Sequence, residues 1–81
     1  MPKSEDIILK KGDKGRKVRI AQKCLRASGS SIKVSSIYTI GMASAVSSYQ
    51  RKMGLIVNGN IIERMTWTAL KSELPFWRRL F

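Results

Sequence analysis

Two apolar stripes, each closed by a glycine, constrain this chain more than any other feature. Val18, Ala21 and Leu25 recur at helical spacing with Cys24 beside them, and Gly29 follows where a left-handed residue ends a helix. Met42, Ala45, Val46, Tyr49 and Met53 form a second stripe, which Gly54 stops and Leu55 folds back from. The spacing predicts short helices over about residues 15–28 and 41–53. A third run, "ERMTWTALKS", has Glu63 in its first turn and Lys71 near its last, the charge order a helix dipole favours. Met65, Thr66, Ala69 and Leu70 offer its inner face, and Pro75 prevents continuation.

The connecting segments are polar. "LKKGDKGRK" reads as a glycine-punctuated turn in which Asp13 or Gly15 caps the first helix. "SSIKVSSIYTIG" is rich in β-branched residues, but two serine pairs interrupt it, so it reads as a loop anchored by Val34, Ile37 and Tyr38. In "LIVNGNII", Asn58-Gly59 suits a tight turn because both residues tolerate positive φ. "VSSIYTIGMASAV" and "VNGNIIERMTWTAL" echo one another, which places two similar loops close together. The expected fold is all-α: a compact three-helix bundle with two polar loops and a short basic-aromatic C-terminal tail. Residues 1–8 form an extended lead-in, 9–72 the domain and 73–81 the tail. At 81 residues there is one domain, with ~60% of the unfolded chain's surface to bury.

Much chemistry is excluded. With no His and a single Cys, the chain lacks the commonest general base and cannot build a cysteine zinc cluster or an internal disulfide. Cys24 lies in the first apolar stripe and reads as core. The five carboxylates are scattered without an acid and base pair, so no catalytic residue, metal or cofactor is expected. The N-terminus carries two acids before a three-residue apolar stretch and does not read as a signal peptide. The longest uncharged run, residues 34–50, is too short and too rich in serine to span a membrane.

Charge narrows the partner. Sixteen Lys and Arg against five Asp and Glu leave +11, which favours polyanions. Arg16, Arg19, Lys23 and Arg26 fall along one side of the first helix, away from its apolar stripe. With Arg51, Arg78 and Arg79 they are the polyanion-binding candidates, weighed against a merely solvated face. Wall teichoic acid, lipopolysaccharide and nucleic acid satisfy the same charges. Phe76, Trp77, Arg78 and Arg79 also suit an anionic membrane surface.

The residues then point to a family. "LKKGDKGRKVRIAQKCLRASG", with Leu9, Gly12, Gly15, Val18, Ala21-Gln22, Leu25 and Gly29, resembles the opening helix of the type 1 peptidoglycan-binding domain family. "AVSSYQRKMGLIVNG" is similar to that family's Ala-Val-x-x-Phe-Gln-x-x-x-Gly-Leu-x-Val-Asp-Gly, and "TWTAL" to its closing Thr-Trp-x-Ala-Leu. The resemblance covers residues 9–70. It implies a non-catalytic three-helix module that binds peptidoglycan or an anionic wall polymer, of the kind carried by bacterial and phage cell-wall hydrolases.

Its loops imply a ligand groove bordered by Ser35, Ser36, Tyr38, Gln50, Asn58, Gly59 and Asn60. The bland readings are loop tethering for Gln50, a tight turn for Asn58 and Gly59, and packing for Trp67. Tyr38 stands where the family has Phe, and its hydroxyl predicts partial exposure beside the first loop. That loop reads Ser35-Ser36-Ile37-Tyr38-Thr39, without the family's acid and glycines. This departure and the charge motivate a second reading, the fold reused as a basic interaction protein: a virion component, or a nucleic-acid-binding or inhibitory factor. The first reading expects a chain made in the cytoplasm and acting at the bacterial wall or within a virion, and it is compatible with a phage-encoded source.

Overall fold

The computed structural model describes residues 7–74. Along them run strand β1 (Ile7–Lys10), helix α1 (Arg16–Ala27), helix α2 (Ile40–Met53), strand β2 (Ile61–Glu63) and helix α3 (Arg64–Lys71). The three helices stand where the periodicity puts them, but the all-α expectation is corrected. β1 and β2 pair antiparallel, with Leu9 opposite Ile62 and Lys10 opposite Ile61. Pairing satisfies the backbone of both segments while Leu9 and Ile62 enter the core, which an unpaired lead-in could not do without stranding polar groups. Ile7 and Ile8 are thus part of a paired strand. Residues 1–6 and the tail residues Phe76, Trp77, Arg78 and Arg79 lie outside the described residues.

Each long helix ends in the same way. Gly29 has φ 114° and Gly54 φ 73°, conformations that glycine adopts without Cβ strain. Gly29 N–H reaches Arg26 O while Ser30 N–H reaches Leu25 O; Gly54 N–H reaches Arg51 O while Leu55 N–H reaches Gln50 O. Both ends are Schellman caps, and both turn the chain into a polar loop. At the helix starts, Thr39 accepts from Met42 N–H and Glu63 from Thr66 N–H. α1 differs: Gly15 precedes it with no side-chain cap. Asp13 instead accepts from Lys10 N–H at 2.9 Å and pairs with the Lys10 ammonium at 3.3 Å.

The core gathers Val18, Ala21, Cys24 and Leu25 from α1, Met42, Val46 and Tyr49 from α2, and Leu70 from α3, around Leu9, Tyr38 and Ile62. Three expected anchors face outward instead: Ile37, Met53 and Met65 are exposed. Thr66 and Leu70 define the inward line of α3, and Met65 stands one residue off it, roughly 100° around the helix. Met53 is the last residue of α2, and Ile37 yields its place to Tyr38.

Residues 10–15 knit the molecule together. Lys11 N–H donates to Asn60 O at 2.8 Å, joining the second loop. Gly12 N–H donates to Tyr38 O, Tyr38 N–H to Asp13 O, and Gly15 N–H to Ser36 O, each at 2.9 Å, joining the first. One N-terminal arm thus pairs with both loops, which stand side by side as their sequence echo predicts.

Candidate functional site

Two buried glutamines build the loops. Gln22, on α1, accepts from Ser35 N–H at 2.9 Å and Ser36 N–H at 3.0 Å through Oε1, and donates to Ile37 O at 2.9 Å through Nε2. Gln50, on α2, accepts from Asn58 N–H at 2.7 Å and donates to Thr66 Oγ1 at 3.2 Å. Both amides are essentially inaccessible to solvent, and their partners are mostly loop backbone. Each helix therefore carries the side chain that shapes the loop following it. Such a template needs a long, neutral group with a donor and an acceptor at one end, which is the chemistry of glutamine.

The expected groove residues divide accordingly. Gln50, Tyr38 and Gly59 are interior, whereas Ser35, Asn58 and Asn60 are exposed and Ser36 is half-buried. The expected partial exposure of Tyr38 is corrected: it is 1% exposed, and its hydroxyl donates to Gly59 O at 2.6 Å. That bond ties the first loop to the second and supplies the partner a buried phenol requires. The hydroxyl is correspondingly hard to ionise; burial, then the Asp13 charge, pushes its pKa well above 10.0. Gly59 is also corrected. Among the described residues the positive φ angles belong to Ser36, Gly12, Gly15, Gly29 and Gly54, so Gly59 is not needed for backbone handedness. It is needed for closeness: a Cβ there would overlap Ala43 O and Ser47 Oγ on α2. Asn58 contributes locally, its Oδ1 accepting from Asn60 N–H at 3.2 Å.

Clefts open on this frame among the described residues. The first, of about 440 Å³, lies between residues 28–32 and α2, where Ser28, Ser30, Ser31, Ser44 and Ser48 surround Tyr49 and Lys52. Its edges are fixed. Lys52 Nζ donates to Ser28 O at 2.9 Å, and Tyr49 OH donates to Glu73 Oε2 at 2.9 Å. Hydroxyls that can both donate and accept suit neutral sugar hydroxyls and amides. The second cleft, of about 480 Å³, is lined by Gly15, Arg16, Arg19, Ile20, Lys23 and Ser36. A third, of about 330 Å³, takes Ser35 with Ile32, Lys33, Thr39, Gly41 and Met42.

The expected basic row is thus partly assembled. Arg16, Arg19 and Lys23 share the second cleft with Ser36 from the first loop. Arg26 is turned aside, its guanidinium donating to Ile32 O at 3.2 Å. Arg51 is exposed on the last turn of α2 and does not line that cleft. Arg78 and Arg79 lie outside the described residues. Cys24 is fully buried, and burial, reinforced by the Glu73 charge, pushes its thiol up to about 11, so the core reading holds.

Sequence reasoning did not single out Gln22 or the serine cleft. The signal for Gln22 was present: it follows a buried residue on one helix, Ala21, as Gln50 follows Tyr49 on the next, and each precedes a polar loop. The serines carried no comparable signal, because Ser28, Ser30 and Ser31 meet Ser44 and Ser48 only in three dimensions.

Comparison with known proteins fits this architecture. The family model described as "Putative peptidoglycan binding domain" matches residues 14–70. The carboxy-terminal processing protease CtpA of Bacillus subtilis (strain 168) is 41% identical over 69 residues, which are 85% of this chain and 15% of that protein. A solved peptidoglycan-binding protein from Clostridioides difficile, in complex with glutamine hydroxamate, superposes with a TM-score of 0.77 at 33% identity, over 84% of this chain and 43% of its own. The crystal structure of Burkholderia AP3 phage endolysin superposes with a TM-score of 0.75 at 32% identity, over 82% of this chain and 25% of its own. The chain thus spans less than half the length of each of these relatives.

Proposed function

The chain belongs to the peptidoglycan-binding domain family, and on that premise we propose that it is a non-catalytic module that attaches to the peptidoglycan of a bacterial cell wall. The observation that carries this reading is the extent of the family match: residues 14–70 include both buried glutamines, both loops and the three helices but for the last residue of α3. The serine-lined cleft is the favoured seat for glycan or stem peptide, since its hydroxyls offer neutral donors and acceptors on a scaffold that does not have to rearrange. Likeness to a phage endolysin supports a phage-encoded role, with the module working at the wall or within a virion. Among the described residues no group of three or more His, Cys, Asp or Glu is placed to hold a metal ion, and the reading asks for none.

Sedimentation with purified sacculi tests the reading. The chain is expected to pellet with sacculi at moderate salt and to be released by soluble muropeptide fragments. Ser44→Arg, at an exposed position of the serine cleft, is expected to weaken pelleting while leaving the melting temperature unchanged. A chain that stays in the supernatant at moderate salt would refute wall attachment. One that pellets normally with Ser44→Arg would move the ligand elsewhere.

A further inference from the structure

We propose that the cleft between α1 and the first loop is a second, separate binding site, for a repeating phosphodiester polymer attached to the wall. Three cations line it, Arg16, Arg19 and Lys23, together with Ser36 of the first loop. None of these cations has a hydrogen-bond or ion-pair partner among the described residues, and no carboxylate lines the cleft. Unpaired like charges held side by side repel one another, and an anion in the cleft relieves that repulsion.

The row favours a polymer over a single anion. From Arg16 to Lys23 the helix rises about 10 Å, at 1.5 Å per residue, so the charges are spread along a line rather than focused on one point. Arginine guanidinium groups present planar forks that match phosphate oxygens, and Ser36 can donate to the same group. Single-stranded nucleic acid has the same backbone charge, but its binding grooves also supply aromatic faces on which bases stack. This cleft contains no aromatic residue. A polyol-phosphate chain, which has no bases, asks for nothing the cleft lacks. The site rests on the wall-binding reading only for where the polymer is met, and it lies apart from the serine cleft, with which it shares no lining residue.

The test compares sacculi retaining their phosphodiester-linked polymers with sacculi stripped of them by hydrofluoric acid. The full chain is titrated on both, alongside R16Q/R19Q/K23Q and a charge-matched control, K11Q/K17Q/K33Q. The native chain is expected to bind intact sacculi roughly ten- to thirtyfold more tightly than stripped ones, as three exposed charge contacts would give. R16Q/R19Q/K23Q removes that difference and makes the salt dependence shallower by about 2 in log–log slope, and K11Q/K17Q/K33Q retains it.

Equal affinity for the two wall preparations, or equal losses in the two triple variants, overturns the site. If the native chain binds intact but not stripped sacculi, the peptidoglycan reading fails and the phosphodiester site stands. A single-stranded oligonucleotide that displaces the chain at lower phosphate concentration than the soluble wall polymer overturns the choice of polymer. Circular dichroism checks that each variant is folded, and Arg19→Glu alone gives the same readout if the triple variant is not.

Discussion

Gly59→Ala isolates the contact on which the second loop is built. A Cβ at this position would meet Ala43 O and Ser47 Oγ, and it would stand 2.9 Å from Ala43 C. Ser47 can swing its hydroxyl away, but Ala43 O belongs to the backbone of α2 and cannot move without the helix. The loop must therefore lift. Overpacking of this kind costs about 1–3 kcal/mol. Lifting also stretches the buried bond from Tyr38 OH to Gly59 O, which at 2.6 Å has no slack, and an unmet buried carbonyl costs about 1–3 kcal/mol more.

The sum, ~2–6 kcal/mol, is a large part of the ~5–15 kcal/mol that holds a small domain folded. At about 4–8 °C per kcal/mol it lowers the melting temperature by roughly 10–50 °C. Thermal and urea melts of Gly59→Ala, Ser47→Ala and the double variant provide the assay. The double variant is expected to recover only part of the loss, because the clash with Ala43 O persists. A melting temperature within about 2 °C of the parent for Gly59→Ala, or full recovery in the double variant, would refute the close-approach argument. Gly29→Ala is a useful contrast: with φ 114° and open space around its would-be Cβ, its cost is backbone strain alone, about 1–2 kcal/mol.

Three further outcomes follow from the same frame. Tyr38→Phe leaves Gly59 O without its buried donor and is expected to cost about 1–3 kcal/mol in urea denaturation; a neutral result would mean that the bond is dispensable. Gln22→Leu removes the acceptor for Ser35 and Ser36 N–H, so hydrogen exchange should quicken at those two amides while Asn58 N–H, held by Gln50, keeps its protection. Stability should also fall at alkaline pH. Cys24 rises from 9.0 to about 11 in the fold, and Tyr38 and Tyr49 shift upward from 10.0, through burial in both cases and then the Asp13 charge or the Glu73 hydrogen bond. The unfolded chain loses these protons first, so their contribution is complete below about pH 9; that of Cys24 is lost as pH rises through about 11, and that of the tyrosines starts to fall above about pH 10 and goes on falling at higher pH. A melting temperature that does not decline between pH 9 and 11 would contradict that sign.

The helices were legible because each depends on local information: an apolar residue every three or four positions and a glycine at the end. Gly29 and Gly54 gave the stops of α1 and α2 correctly. The sheet was not legible in the same way. β1 has four residues and β2 three, too few to display a period, and their partnership joins Ile7 to Glu63 across almost the whole chain. The site was half legible for a related reason. Gln50 and Asn58 could be singled out by their place in a pattern, but whether a residue at a loop is a ligand group or a structural one depends on what stands behind it. For Tyr38 that is the Gly59 carbonyl, and for Gly59 it is the flank of α2. Neither neighbour is close in sequence. The basic row was visible from its helical spacing, yet Arg26 left it for Ile32 O, a contact the spacing cannot reveal.

The arm that pairs with both loops also sets an order of events during synthesis. Residues 7–15 are made before their partners at Ser36, Tyr38 and Asn60 to Glu63, the last of them near the end of the domain. At bacterial rates of up to about 20 residues per second, a nascent arm waits on the order of three seconds or more before β2 exists to receive it. Until then α1 and α2 can form with only the first loop to hold the arm, and Leu9 remains without Ile62. A ribosome stalled before Ile61 would therefore hold two helices and an unfinished seam, and release of the final helix would be the step that makes the domain whole.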